Sequence, residues 1–223
     1  MSQVWLVTEA AHGAGRALAE AALLAGGRVV AGTREPGRLA AFVARYGARV
    51  RAVEFDATDE ATVYAALDTA LTAFGRIDVV VGEAGQADPA PIEGTNDTDL
   101  RVRFEANFFA AASVVHAMLP VLLEQGAGRI VQIIECDDGR AGASPARRAA
   151  RSALRTYFET LAADAARGGI EIELVTQEQA LDRALQGATA QFLRKIGLET
   201  DAAATRAKPT ARIAKFPVRP EAA

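Results

Sequence analysis

The 223-residue sequence predicts an α/β protein, a doubly wound parallel sheet of about six strands with helices on both faces. Three observations predict it. Short β-type runs alternate with helix-length Ala- and Leu-rich amphipathic stretches, half of all residues are apolar, and the segments between runs carry the punctuation of helix ends. The runs fall at 4–8, 28–33, 49–55, 77–81, 129–134 and 170–176. Gly26-Gly27 closes the first helix, Asp59 caps a second that runs to Phe74, and Ser144-Pro145 opens one that runs to about Arg167. Five crossover helices then join six strands. A further helical pattern covers about 177–196. The expected organisation is a single domain over 1–197, followed by a polar tail or partner-binding arm over 198–223 with a possible short edge strand at 212–218.

Bulk composition narrows the function. The 25 basic residues against 28 acidic ones leave a formal charge of −3, which predicts no nucleic-acid or anionic-membrane partner. The lone Cys136 supports neither an internal disulfide framework nor a cysteine metal cluster, and fits a cytoplasmic protein. No signal peptide is expected at the N-terminus. The long apolar stretch 106–123 carries Asn107, Ser113, His116 and Pro120, and reads as a buried helix rather than a membrane span.

The first run leads through Thr8-Glu9-Ala10-Ala11-His12-Gly13-Ala14-Gly15 into a helix. Such a glycine turn lets backbone approach a pyrophosphate at a helix N-terminus. Companions follow in order: Gly32-Thr33-Arg34, Asp56-Ala57-Thr58, the run 77–85 ending Gly82-Glu83-Ala84-Gly85, Asn107-Phe108-Phe109, and Gly128-Arg129-Ile130-Val131-Gln132-Ile133. Together, over residues 1 to 176, these segments resemble the short-chain dehydrogenase/reductases. The resemblance implies a Rossmann-like fold, an NAD(P) cleft lined by Glu9, His12, Gly13, Gly15, Arg34, Asp56 and Glu83, and catalytic positions at Asn107, Glu135, Arg147 and Arg151. Arg34 then stands where family members that prefer NADP carry a basic residue, and Asp56 where adenine is usually held.

Several of these positions depart from the family. Glu9 replaces the first glycine of the turn, and Glu83 enters the segment that usually reads N-N-A-G. The family's serine pair is replaced by Glu135-Cys136-Asp137-Asp138. The tyrosine and lysine positions fall on Arg147 and Arg151, or on Arg148 and Ser152 if the register slides by one. An arginine stays protonated and cannot trade a proton with an alkoxide. Of the four catalytic positions Asn107 alone is retained. Thr176-Gln177-Glu178-Gln179 stands where a Pro-Gly usually begins the substrate lid.

Glu9, Glu83 and Glu135 follow strands one, four and five, so they should converge on one cleft, faced by two of Arg147, Arg148 and Arg151. One expectation is self-neutralisation: Glu9 accepts bonds from the helix N-terminus, and Glu135 or Glu83 pairs with Arg147 or Arg151. The other is an acid/base site with a carboxylate as base. His12 reads as an exposed loop residue, His116 and Tyr157 as packed or interface side chains, and no metal is expected. Helices at 95–125 and 144–167, with Phe108, Phe109, Val114, Val115, Leu154, Phe158 and Leu161, supply a surface for pairing. The expected function is a non-catalytic subunit beside an active homologue in a mixed oligomer, where acyl thioesters are among the candidate substrates, or a homo-oligomer. It takes no cofactor, or NADP if any. The alternatives are a cofactor-independent lyase, isomerase or cyclase, and an NADP-linked reductase with an atypical site.

Overall fold

The computed structural model describes residues 2–83, 96–134 and 145–195, with side chains to Gly187. Six strands, β1 (Val4–Val7), β2 (Arg28–Thr33), β3 (Val50–Glu54), β4 (Val79–Glu83), β5 (Gly128–Ile134) and β6 (Ile170–Thr176), form one sheet in the order β3-β2-β1-β4-β5-β6. Every neighbouring pair is parallel. Helices α1 (Gly13–Leu24), α2 (Ala40–Tyr46), α3 (Glu60–Phe74), α4 (Asp97–Phe104), α5 (Ala110–Gln125) and α6 (Pro145–Ala165) make the crossovers, and α7 (Gln177–Lys195) follows β6.

Both faces of the sheet are covered, so the central strands are apolar on each side. Leu6, Val30, Val80 and Ile130 point into one core with Met118, Leu122, Leu154 and Phe158 from α5 and α6. Their neighbours Val7, Val29, Val79, Val81 and Val131 point into the other with Leu18, Leu23 and Phe42 from α1 and α2. Asp59 caps α3 as its position predicts, its carboxylate accepting from the Ala61 N–H at 3.0 Å. Gly75 and Gly126 end α3 and α5 in the left-handed region. The Gln125 amide holds the chain entering β4 on both sides: Nε2 donates to the Ile77 carbonyl at 2.7 Å, and Oε1 accepts from its N–H at 3.1 Å.

Three expectations are corrected. The fourth strand runs two residues later than 77–81, so Glu83 is its last residue rather than part of the loop after it. The 95–125 helix is not uniform: residues Glu105–Phe109 wind as a π-helix between α4 and α5. Of the pairing residues proposed on α5 and α6, Val114, Val115, Leu154 and Phe158 are buried against the sheet, while Phe109 is exposed. The rod Asp97–Gln125 is long and apolar enough to span a bilayer, but half of its apolar window is buried within the fold. The tail 198–223 lies outside the described residues.

Candidate functional site

Strand order reverses between β1 and β4, and in open parallel sheets the crevice at such a switch point, above the carboxyl ends of the strands, is where ligands bind. A hollow of about 170 Å³ lies there. Glu9 and His12 of the β1–α1 turn, Arg34 after β2, Asp56 after β3 and Glu83 of β4 surround it, over a floor that includes Phe55, Ala110 and Val114.

The glycine turn keeps its backbone form. Gly13 has φ +61°, a conformation that side chains with a Cβ rarely adopt. A Cβ on Gly15 would stand 2.0 Å from the Glu9 carbonyl oxygen, so α1 can approach the turn this closely only with glycine there.

The carboxylates are arranged differently from the expectation. Glu9 does not reach the helix N-terminus; its Oε1 accepts the Ala11 N–H inside the turn at 2.8 Å, and His12 Nε2 lies 3.9 Å from Oε2. Glu83 takes the helix end instead, with Oε1 4.0 Å from where a Gly13 Cβ would sit. Its main chain is fixed by an N–H bond to Thr8 Oγ1 at 3.2 Å. Its side-chain partner is Gln177, whose Nε2 donates to Oε1 at 2.9 Å, and not Arg147 or Arg151. Glu83 Oε2 is buried and meets no donor at hydrogen-bond geometry among the described residues; the Gly15 N–H acts on the carboxylate as a nearby dipole. Burial pushes the Glu83 carboxyl above the ordinary glutamate range and Glu9 adds to the rise, against the opposing pull of Gln177, His12 and Gly15.

Arg34 and Asp56, assigned to the two ends of an adenosine, hold each other at 3.1 Å. Burial tends to raise the Asp56 carboxyl, but the Thr58 hydroxyl and N–H and the Arg34 guanidinium outweigh it and bring it below the usual range. Asn107 is buried in the π-helical segment, its Nδ2 donating to the Arg103 carbonyl at 2.8 Å. Arg147 and Arg151 are not among the described residues that line the hollow. Burial lowers the Arg147 guanidinium from its usual value, and Arg151 and the Asp99-paired Arg103 of α4 lower it further, so the three arginines lie near one another. His116 and Tyr157 join α5 to α6 through a 2.7 Å bond between Tyr157 Oη and His116 Nε2. Glu135, Cys136, Asp137 and Asp138 lie outside the described residues, as do Ala84 and Gly85. Among the described residues no group of three His, Cys, Asp or Glu side chains is placed to hold a metal ion.

The hollow fits a dinucleotide in its backbone and not in its side chains. The turn and the N-terminus of α1 have the form that accepts a pyrophosphate, but the Glu83 carboxylate already stands at that helix end. Each like-charge pair at about 4 Å costs about 4 kcal/mol at an effective dielectric near 20. Sequence reasoning placed the carboxylate here but missed its partner, because a glutamine just after β6, 94 residues from Glu83, carries no motif.

A family model described as short chain dehydrogenase matches residues 3–195. The oxidoreductase BOA17 of Botryotinia fuckeliana is 36% identical over 178 residues, 78% of this chain, and the chain spans 65% of that relative's length. A short-chain dehydrogenase structure from Streptomyces avermitilis superposes with a TM-score of 0.71 at 29% identity, covering 90% of this chain and 86% of the other. A short-chain dehydrogenase/reductase from Burkholderia phymatum, solved in complex with NAD, gives 0.69 at 27% identity, covering 78% and 65%.

Proposed function

This chain belongs to the short-chain dehydrogenase family, and on that premise we propose that it is a non-catalytic member, one that pairs with an active homologue and does not itself transfer hydride. The observation that carries the reading is the seat of Glu83: a carboxylate of the chain's own occupies the helix end at which a coenzyme's phosphates would be held. Three further features support it. Arg34 is tied to Asp56, the Asn107 amide donates to the Arg103 carbonyl, and Arg147 and Arg151, or Arg148 and Ser152 in the neighbouring register, stand where a proton donor and its partner would be needed. A pairing surface remains, since Leu100, Val102 and Phe109 on the α4–α5 rod are exposed apolar side chains. The partner is an active dehydrogenase of the same fold, with acyl thioesters as the candidate substrate class; a homo-oligomer through the same helices is the alternative.

The purified chain is expected to bind NADPH only weakly, with a Kd of about a millimolar, to give no turnover, and to form a mixed oligomer when co-expressed with an active homologue from its own host. A homo-oligomer that binds NADP and turns over by itself would overturn the reading. One observation favours a second function, a cofactor-independent acid/base enzyme: the Glu83 carboxyl is held above its usual range beside the hollow, as a general base requires. In that case Glu83→Gln abolishes turnover of the true substrate without unfolding the protein.

A further inference from the structure

We propose that Gln177 is a positioning residue that locks Glu83 over the N-terminus of α1, so that the seating of α7 decides whether an anion can enter the glycine turn. The proposal deepens the reading of the same site and rests on it only for the ligand used as probe. Glu83 and Gln177 meet at 2.9 Å from elements far apart in the chain, the end of β4 and the first residue of α7.

Gln177 is itself held in place. The Thr176 Oγ1 accepts the Gln179 N–H at 3.2 Å and the Gln179 Oε1 accepts the Thr176 N–H at 2.9 Å, a reciprocal capping box that fixes where α7 begins. Further along, Ala180 and Ala184 are fully or nearly buried, and a Cβ on Gly187 would sit 3.9 Å from that of Ala21, so α7 lies closely along α1. The lock is therefore carried by a helix whose position is set elsewhere.

The groups facing the Glu83 carboxylate are Glu9, His12 and the Gly15 N–H from the β1–α1 turn, and Gln177 from α7. Glu9 repels it. Without the Gln177 amide, the carboxylate loses its one side-chain hydrogen bond among the described residues and is freed to rotate toward solvent, away from the helix end.

A double-mutant cycle on the full chain tests this, using NADPH fluorescence titration with wild type, Gln177→Ala, Glu83→Ala and the double variant. Gln177→Ala is expected to tighten NADPH binding about tenfold, the size of one charge-assisted hydrogen bond. In the Glu83→Ala background it should change nothing. Gln177→Met, which keeps the length of the side chain and its fit to a helix but donates no hydrogen bond, should tighten binding about as much and guards against an effect of a poorly formed α7. A second readout is the carboxyl carbon shift of Glu83, whose titration midpoint should fall toward the ordinary glutamate value in Gln177→Ala as the freed carboxylate leaves its buried seat. Equal effects in the two Glu83 backgrounds, or an unmoved midpoint, would overturn the lock. Tight NADPH binding by the wild type would count against the non-catalytic reading, while the cycle would still decide the lock.

Discussion

Replacing Glu83 by glutamine should make the protein more stable near neutral pH and leave it unchanged in acid. The amide is isosteric and its oxygen can still accept from Gln177, so the substitution removes charge and little else. Because burial raises the Glu83 carboxyl in the folded state, the native protein binds that proton more tightly than the unfolded chain does. Below the ordinary glutamate pKa both states are protonated and the wild type should match the variant. As pH climbs from there toward the raised folded value, the wild type loses stability by up to about 1.4 kcal/mol per pH unit, and the loss is complete above that value. For a chain of this length each kcal/mol corresponds to about 2–4 °C in Tm. Paired thermal melts between pH 4 and pH 8 should therefore diverge with rising pH, the variant melting higher. Curves that stay parallel, or a variant that melts lower at pH 7.5 than the wild type, would show that the helix end and Gln177 stabilise the anion more than burial opposes it.

Gly15→Ala should fail to fold properly or lose about 3 kcal/mol in urea titration, since the added methyl would stand 2.0 Å from the Glu9 carbonyl oxygen. Removing the α3 cap with Asp59→Ala should cost about 1 kcal/mol by the same measurement, with no effect on any binding. Phe158→Ala, a fully buried ring where α6 meets the sheet, should cost about 3–5 kcal/mol. Val102→Glu with Phe109→Glu should leave the melting temperature within a few degrees but lower the mass seen by light scattering; an unchanged mass would place the oligomer contact elsewhere.

The sheet was legible because its signal is local and repeated. Apolar runs such as Val79–Val81 and Ile130–Ile134 mark strands, and Asp59, Gly75 and Gly126 mark helix ends by their own backbone chemistry. That Glu9 and Glu83 line the hollow was legible because they stand in a recognisable turn and at a strand end. Their partners were not. Whether Glu83 meets Arg151 or Gln177 depends on how α6 and α7 pack, and nothing in the sequence spacing distinguishes a long basic side chain that could reach the cleft from one that joins Arg103 at α4. The π-helical segment was invisible for a related reason: Glu105-Ala106-Asn107-Phe108-Phe109 has ordinary helix-forming composition, and the extra residue shows only in the backbone bonds.

That segment also sets how the chain tolerates length changes. Five residues wound with i→i+5 bonds behave as a helix carrying one surplus residue, and each residue of an α-helix turns the chain by about 100°. The wider turn absorbs that residue, so deleting Ala106 would let the rod wind evenly while Arg103 stays under cover and Val102 stays outside it. A single missing residue there would thus be absorbed, whereas the same loss within α4 or α5 would re-aim an entire face of the molecule by roughly that angle.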